Sequence, residues 1–280
     1  MTWRVRVSHR TGYSYGGEVA ASYNEARMTP VTESSQTTLE TRVEISPSAG
    51  TYRYRDYWGT EVTAFDIHSP HTELEVVATS VVETGLRPWL PGGLGWTDLR
   101  SETVRDQYAE WLAATERTDP DGVLGEIAAE VGGTGTPTET AINCLKAIGE
   151  HLEYVPGSTD VGTNAVQAWQ AGAGVCQDFA HISLAMLRSV GLPARYVSGY
   201  LHPNVEAVIG DRISGESHAW VEWWDGEWVG YDPTNGKPVG DQHVLVARGR
   251  DYHDVTPLKG IYSGSQSSAL GVQVEVTRLA

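Results

Sequence analysis

Gly174-Val175-Cys176-Gln177-Asp178-Phe179-Ala180-His181 is the stretch whose reading decides the rest of the chain. Just upstream, Ala171-Gly172-Ala173-Gly174 interrupts a short predicted helix that opens at Thr163 as N-cap and runs to Trp169. Downstream, Phe179, Ala180, Ser183, Leu184 and Leu187 fall on one stripe, which predicts a buried helix over 176–190. Cys176 then stands in the first turn of that helix. There the positive end of the helix dipole favours a thiolate, the nucleophilic form of cysteine, and the free N–H groups can hold an oxyanion. The other cysteine, Cys144, shares an apolar helical stripe with Ile142, Leu145 and Ile148 and reads as a small core residue.

A thiolate is half of an acyl-transfer site. The departing amine needs an acid and the second substrate needs a base, and histidine serves both near neutral pH. His218, in Glu216-Ser217-His218-Ala219-Trp220-Val221-Glu222-Trp223-Trp224, is the candidate. Asp232, in Gly230-Tyr231-Asp232-Pro233-Thr234, follows on the next predicted strand and is the candidate carboxylate to orient it. A two-residue turn at Asp225-Gly226 would send Asp232 to the opposite sheet face from His218. A three-residue loop, Trp224-Asp225-Gly226, sets His218 directly across from Asp232 and gathers Ala219, Val221, Val229 and Tyr231 on one apolar face. The chemistry therefore predicts the three-residue loop.

Three segments, Gly174 to His181, Ser217 to Glu222 and Tyr231 to Gly236, resemble the motifs of the bacterial transglutaminase-like superfamily, a branch of the papain-like fold. His9-Arg10-Thr11-Gly12-Tyr13-Ser14-Tyr15 resembles the β domain that precedes the core in many bacterial members. Gly249-Arg250-Asp251-Tyr252-His253-Asp254-Val255-Thr256-Pro257 resembles their C-terminal part. The resemblance implies an α+β protein: an N-terminal antiparallel β domain followed by a papain-like transglutaminase core, its nucleophile helix packed on an antiparallel sheet. It implies Cys176 as nucleophile, His218 as general acid and base, and Asp232 as orienter. The substrate class it implies is a peptide or protein amide. Hydrolysis is favoured over transfer to an amine because bacterial relatives are commonly described as cysteine proteases. A silent peptide-binding module is the alternative from another class. By family association, ATP-grasp-type and α-helical proteins are expected partners.

Other residues of these motifs carry weaker expectations. Asp178 and His181, three apart on the helix, are expected to pair and close off the helix start, or else to touch substrate. Gln177 is a candidate oxyanion donor, although papain-like enzymes place that amide upstream of the cysteine. Trp220 and Tyr231 flank the candidate histidine and aspartate and are expected to support the site or wall the cleft. The segment 203–216 is long enough to cover the cleft. A metal site from His181, His202 and His218 is set aside, because the cysteine already accounts for His218, and no cofactor is expected.

Outward from the site, residues 1 to about 85 read as strands, with alternating runs such as Trp3, Val5 and Val7 and Leu39, Thr41, Val43 and Ile45. This predicts a sandwich-like domain over 1–90 and the cysteine core over 91–280, the latter with helices at 98–115, 121–131 and 137–152. The chain has 280 residues, enough for two such units. Its formal net charge of -16 repels phosphate backbones and anionic membrane surfaces, so neither is an expected partner. The opening Met1-Thr2-Trp3-Arg4-Val5 alternates like a strand and lacks the apolar core of a signal peptide, so a cytoplasmic location with free thiols is expected.

Overall fold

The computed structural model describes residues 2–85, 93–215, 217–264 and 267–280. The alternating runs of the N-terminal third form β1 (Trp3–Val19), β2 (Ala21–Ala26), β3 (Gln36–Ser46), β4 (Thr51–Arg55), β5 (Glu61–Ile67) and β6 (His71–Thr84). Short helices α1 (Trp96–Leu99), α2 (Glu102–Gln107) and α3 (Ala109–Leu112) stand where one helix over 98–115 was predicted. The break has a local cause. Ser101 is an N-cap whose hydroxyl accepts the Val104 N–H, so the chain restarts a helix there rather than continuing one. Then come α4 (Val123–Gly132), α5 (Pro137–His151), β7 (Glu153–Tyr154), α6 (Ala165–Ala171), β8 (Ala173–Gly174) and α7 (Cys176–Ser189). The remaining elements are β9 (Ala194–Leu201), β10 (Arg212–Gly215), β11 (His218–Trp224), β12 (Trp228–Asp232), β13 (Lys237–Pro238), β14 (His243–Gly249), α8 (Tyr252–Val255), β15 (Leu258–Ser263) and β16 (Ser267–Arg278).

Three main sheets result: β10-β16-β1-β6-β3, β15-β2-β5-β4 and β13-β12-β11-β9-β14. All their pairings are antiparallel, so the fold is α+β as expected. The division at 90 and 91 lies outside the described residues, and the later half of that division needs correcting. Strand β15 pairs with β2 and strand β16 with β1, so residues 258–278 complete the N-terminal sheets rather than the cysteine core. An early strand leaves an unpaired edge, and the chain's last strands satisfy it.

The long strand β1 runs through the two larger hydrophobic cores. Tyr15 and Val19 pack with Met28, Phe65, Ile67 and Leu74 between the two N-terminal sheets. Trp3, Val5 and Val7, at its other end, join the core that holds α4, α5, α7 and the third sheet. The Gln36 side chain docks like a strand on β14: its amide N–H reaches the Leu245 carbonyl at 2.8 Å, and its carbonyl accepts the Leu245 N–H at 2.8 Å. The N-terminal layer thereby covers the open edge of the sheet that carries the site.

Candidate active site

Cys176 is placed by two backbone devices. Gly172 ends α6 in the left-handed conformation (φ 66°). Asp178, in the first turn of α7, accepts the Val175 N–H at 2.7 Å and the Thr159 hydroxyl at 2.6 Å, which fixes the entry to the helix. Gly174 has to be glycine, because a Cβ there would lie 2.7 Å from the Asp178 Cβ. The helix that follows is buried from Gln177 to Arg188, packed on β11, so the half-buried thiol sits on a rigid support. The preceding helix is capped by Asn164, whose carbonyl accepts the Gln167 N–H. Thr163, the predicted cap, instead accepts the Asp160 N–H.

The hairpin does have a three-residue loop, but a different one. Trp224 pairs with Trp228, leaving Asp225-Gly226-Glu227 as the loop with Gly226 at φ 87°. Trp224 stays in the strand because its N–H donates to Pro193 at 2.9 Å and its ring packs between Tyr108 and Trp228. Asp225 is pinned through its carboxylate by the Leu94 N–H and the Thr138 hydroxyl. Continuing this register sets Asp232 across from Trp220, a diagonal step from His218 rather than opposite it. The face is nonetheless the right one, and His218 Nε2 donates to Asp232 Oδ2 at 2.7 Å. Ala219, Val221, Val229 and Tyr231 share the apolar face, as expected, and join the core beneath α7.

The electrostatics follow from this packing. Burial alone would lower the pKa of His218, yet hydrogen bonds to Asp232 and Cys176 outweigh it and raise it to about 10. Burial works against ionisation of Asp232, but hydrogen bonds from His218 and His243 hold it well below the usual carboxylate range. With Nε2 committed to Asp232, Nδ1 is the ring nitrogen left for the sulfur. The Cys176 thiol also lies 3.9 Å from the Ser217 carbonyl. Cys144 is fully buried, and burial pushes its thiol up to about 12. Both cysteines are free.

Cys176 and His218 open into a cleft of about 290 Å³ walled by Thr159, Asp160, Tyr196, Ser198, Tyr252 and Val272, among others. Gln177 lines it. Asp178 and His181 do not pair with each other. Asp178 is spent on the helix entry, while His181 accepts the Tyr252 N–H at 3.2 Å. Burial lowers the His181 pKa to about 3, so the ring is neutral. Of the two roles expected of Trp220 and Tyr231, walling the cleft is not seen, while Trp220 does lie beside His218, ring centroids 6.2 Å apart. Trp220 is fully buried in a small core with Val197, Val239 and Leu245, and Tyr231 packs beneath α7, so neither walls the cleft. The segment 203–211 is tied to Arg278 and does not line the cleft; Ser217 and Val272 border it there. A larger cavity, about 400 Å³, lies beside Arg53, Arg55, Trp58 and Arg248 and is lined by neither cysteine nor histidine.

Two neighbours of Asp232 escaped sequence reasoning. Asn235 donates its N–H to Oδ1 at 3.1 Å and its side-chain amide to Oδ2 at 2.8 Å. That contact has a local signal, an Asp followed three residues later by Asn across Pro-Thr. His243 Nε2 lies 3.1 Å from Oδ2 and has no such signal. Among the described residues, His218, Asp232 and His243 form the one close group of three metal-type side chains, and hydrogen bonds already account for their contacting atoms. The trio His181, His202 and His218 is not brought together.

A cysteine at the head of a buried helix, facing a histidine–carboxylate pair on an antiparallel sheet, defines the papain-like class of fold. Residues 5–83 match the bacterial transglutaminase-like N-terminal region, and residues 125–233 match the transglutaminase-like superfamily core. An uncharacterized protein of Mycobacterium leprae is 47% identical over 279 residues, covering 99% of this chain and 100% of its own. One from Mycobacterium tuberculosis is 33% identical over 309 residues, covering 98% and 93%. The chain belongs to the transglutaminase-like superfamily. A candidate cysteine protease from Cytophaga hutchinsonii has the same fold, with a TM-score of 0.81 over 100% of this chain and 92% of its own, at 20% identity.

Proposed function

We propose that the protein is a thiol-dependent hydrolase of peptide or protein amides. The observation that carries this is the chain of contacts from Cys176 through His218 to Asp232, closed by the 2.7 Å bond. Cys176 sulfur attacks the amide carbonyl, the developing oxyanion is held by N–H groups of the α7 first turn, and His218 gives its proton to the departing amine. The resulting thioester is then cleaved by water, with His218 taking the proton back as base. Two features of the cleft support water as acceptor. Among the described lining residues no tryptophan shields the thioester, and Thr159, Ser198 and Ser217 offer polar walls. Transfer to an amine is the second reading, favoured by Asp160, the single carboxylate among the described lining residues.

The test is alkylation followed by trapping. Iodoacetamide at neutral pH is expected to modify the half-buried Cys176 readily, and the rate should fall sharply in His218→Ala. A Cys176 rate unchanged in His218→Ala would leave only a peptide-binding module. An acyl-enzyme trapped from a peptide library and released in ¹⁸O-labelled water with a competing amine would then show, by mass spectrometry, which acceptor wins.

A further inference from the structure

His243 opens β14, and the order β13-β12-β11-β9-β14 puts three strand steps between it and Asp232. In a flat sheet that separation would be about 14 Å, more than the two side chains can span. The sheet curls instead, and Gly199 lies on the intervening strand β9, paired with both His218 and Leu245. A Cβ on Gly199 would meet the Val244 carbonyl at 2.0 Å and the Trp220 ring at 2.6 Å. The bare position lets Trp220 close over the face, edge-on to His243 with ring centroids 5.2 Å apart.

The proton positions on His243 follow from its two bonds. Its Nδ1 accepts the Gly240 N–H at 3.2 Å, so Nδ1 carries no proton, and Nε2 must donate to Asp232 Oδ2. Oδ2 therefore takes three donors: His218 Nε2, His243 Nε2 and the Asn235 amide. Asn235 alone, gripping both carboxylate oxygens, is enough to hold the rotamer. A further buried donor on the same oxygen has another consequence, because it draws negative charge away from the bond to His218.

We propose that His243 is a positioning residue of the Cys176 site, a neutral donor that shares Asp232 with His218 and thereby limits how tightly the carboxylate holds the His218 proton. The inference rests on the cysteine–histidine reading of the site. The charged and titratable groups around His243 are Asp232 on β12, His218 on β11 and Lys237 on β13. Burial, with the charges of His218 and Lys237, keeps its pKa below the ordinary histidine value against the pull of Asp232.

The probe is iodoacetate, whose reaction with Cys176 requires the thiolate and is assisted by the imidazolium, so the rate rises and then falls with pH. In His243→Met the donor is gone, and the alkaline limb is expected to move up by roughly half a pH unit or more. In His243→Gln, whose amide can donate from the same place, the limb should return to its wild-type position. A folded Met variant with an unmoved or lowered limb would overturn the proposal, as would a Gln variant that behaves like Met. If His243→Met does not fold, ¹⁵N NMR of the wild type decides: the proton must be on Nε2 of His243, and a proton on Nδ1 overturns it. Failure of the underlying reading looks different, since the wild-type Cys176 rate would then be unchanged in His218→Ala and show no alkaline fall.

Discussion

Asp232→Asn removes one charge from a fully buried position with almost no change of shape, and its effect can be worked out from four hydrogen bonds. If the new NH₂ replaced Oδ2, it would confront three donors at once. Replacing Oδ1 it confronts only the Asn235 N–H, so the amide carbonyl will stay toward His218. That imidazolium then keeps a hydrogen bond but loses a charge partner. A charge pair at this range is worth about 4 kcal/mol at an effective dielectric of 20. With about 1.4 kcal/mol per pKa unit, the loss is roughly three units. The sign is downward, because the partner that raised the His218 pKa is removed. The alkaline limb of Cys176 alkylation by iodoacetate, expected near pH 10 in the wild type, should fall to about pH 7 in the variant. Near-ultraviolet circular dichroism would establish that the variant is folded. A folded Asp232→Asn protein with its alkaline limb still near the wild-type position would refute the account of how His218 is held charged. Its shift is opposite in sign to that of His243→Met, which separates loss of the carboxylate from loss of a competing donor.

Other changes test the framework. Gly199→Ala should cost about 3 kcal/mol in urea unfolding, because the new methyl meets backbone as well as the Trp220 ring. Asn164→Ala removes the α6 cap and should cost about 1 kcal/mol while leaving Cys176 alkylation unchanged. Asp225→Ala frees the hairpin loop from Leu94 and Thr138 and should lower stability by about 2 kcal/mol, read as a lower denaturant midpoint at constant slope. For pH, the depressed Asp232 carboxyl contributes stability that is full above its unfolded value near 3.8 and disappears as pH falls below it. Wild-type stability should therefore drop more steeply below pH 4 than that of Asp232→Asn, and parallel acid profiles would contradict this.

Local sequence was sufficient for what local forces decide. Glycines before Cys176 and an apolar stripe after it place a cysteine at the head of a buried helix, and α7 begins at that residue. Alternation predicted the strand pair carrying His218 and Asp232 and the apolar face shared by Ala219, Val221, Val229 and Tyr231, since side-chain parity survives a shift of two residues. What escaped was decided elsewhere in the chain. The loop register was set by Pro193, Leu94, Thr138 and Tyr108, none of them in the hairpin. Asp178 took Val175 at its own helix entry and Thr159 from farther along the chain, and His181 was left to the distant Tyr252.

The chain by itself determined which side chains the candidate site contains, because a cysteine at a helix start and a histidine and a carboxylate on successive strands are local properties. Only the folded sheet decided how the carboxylate is shared. Its curl over a side-chain-free Gly199 brings His243 to within 3.1 Å of Asp232 from across two intervening strands. Curvature arises from the packing of every strand together, so no short stretch of residues records it.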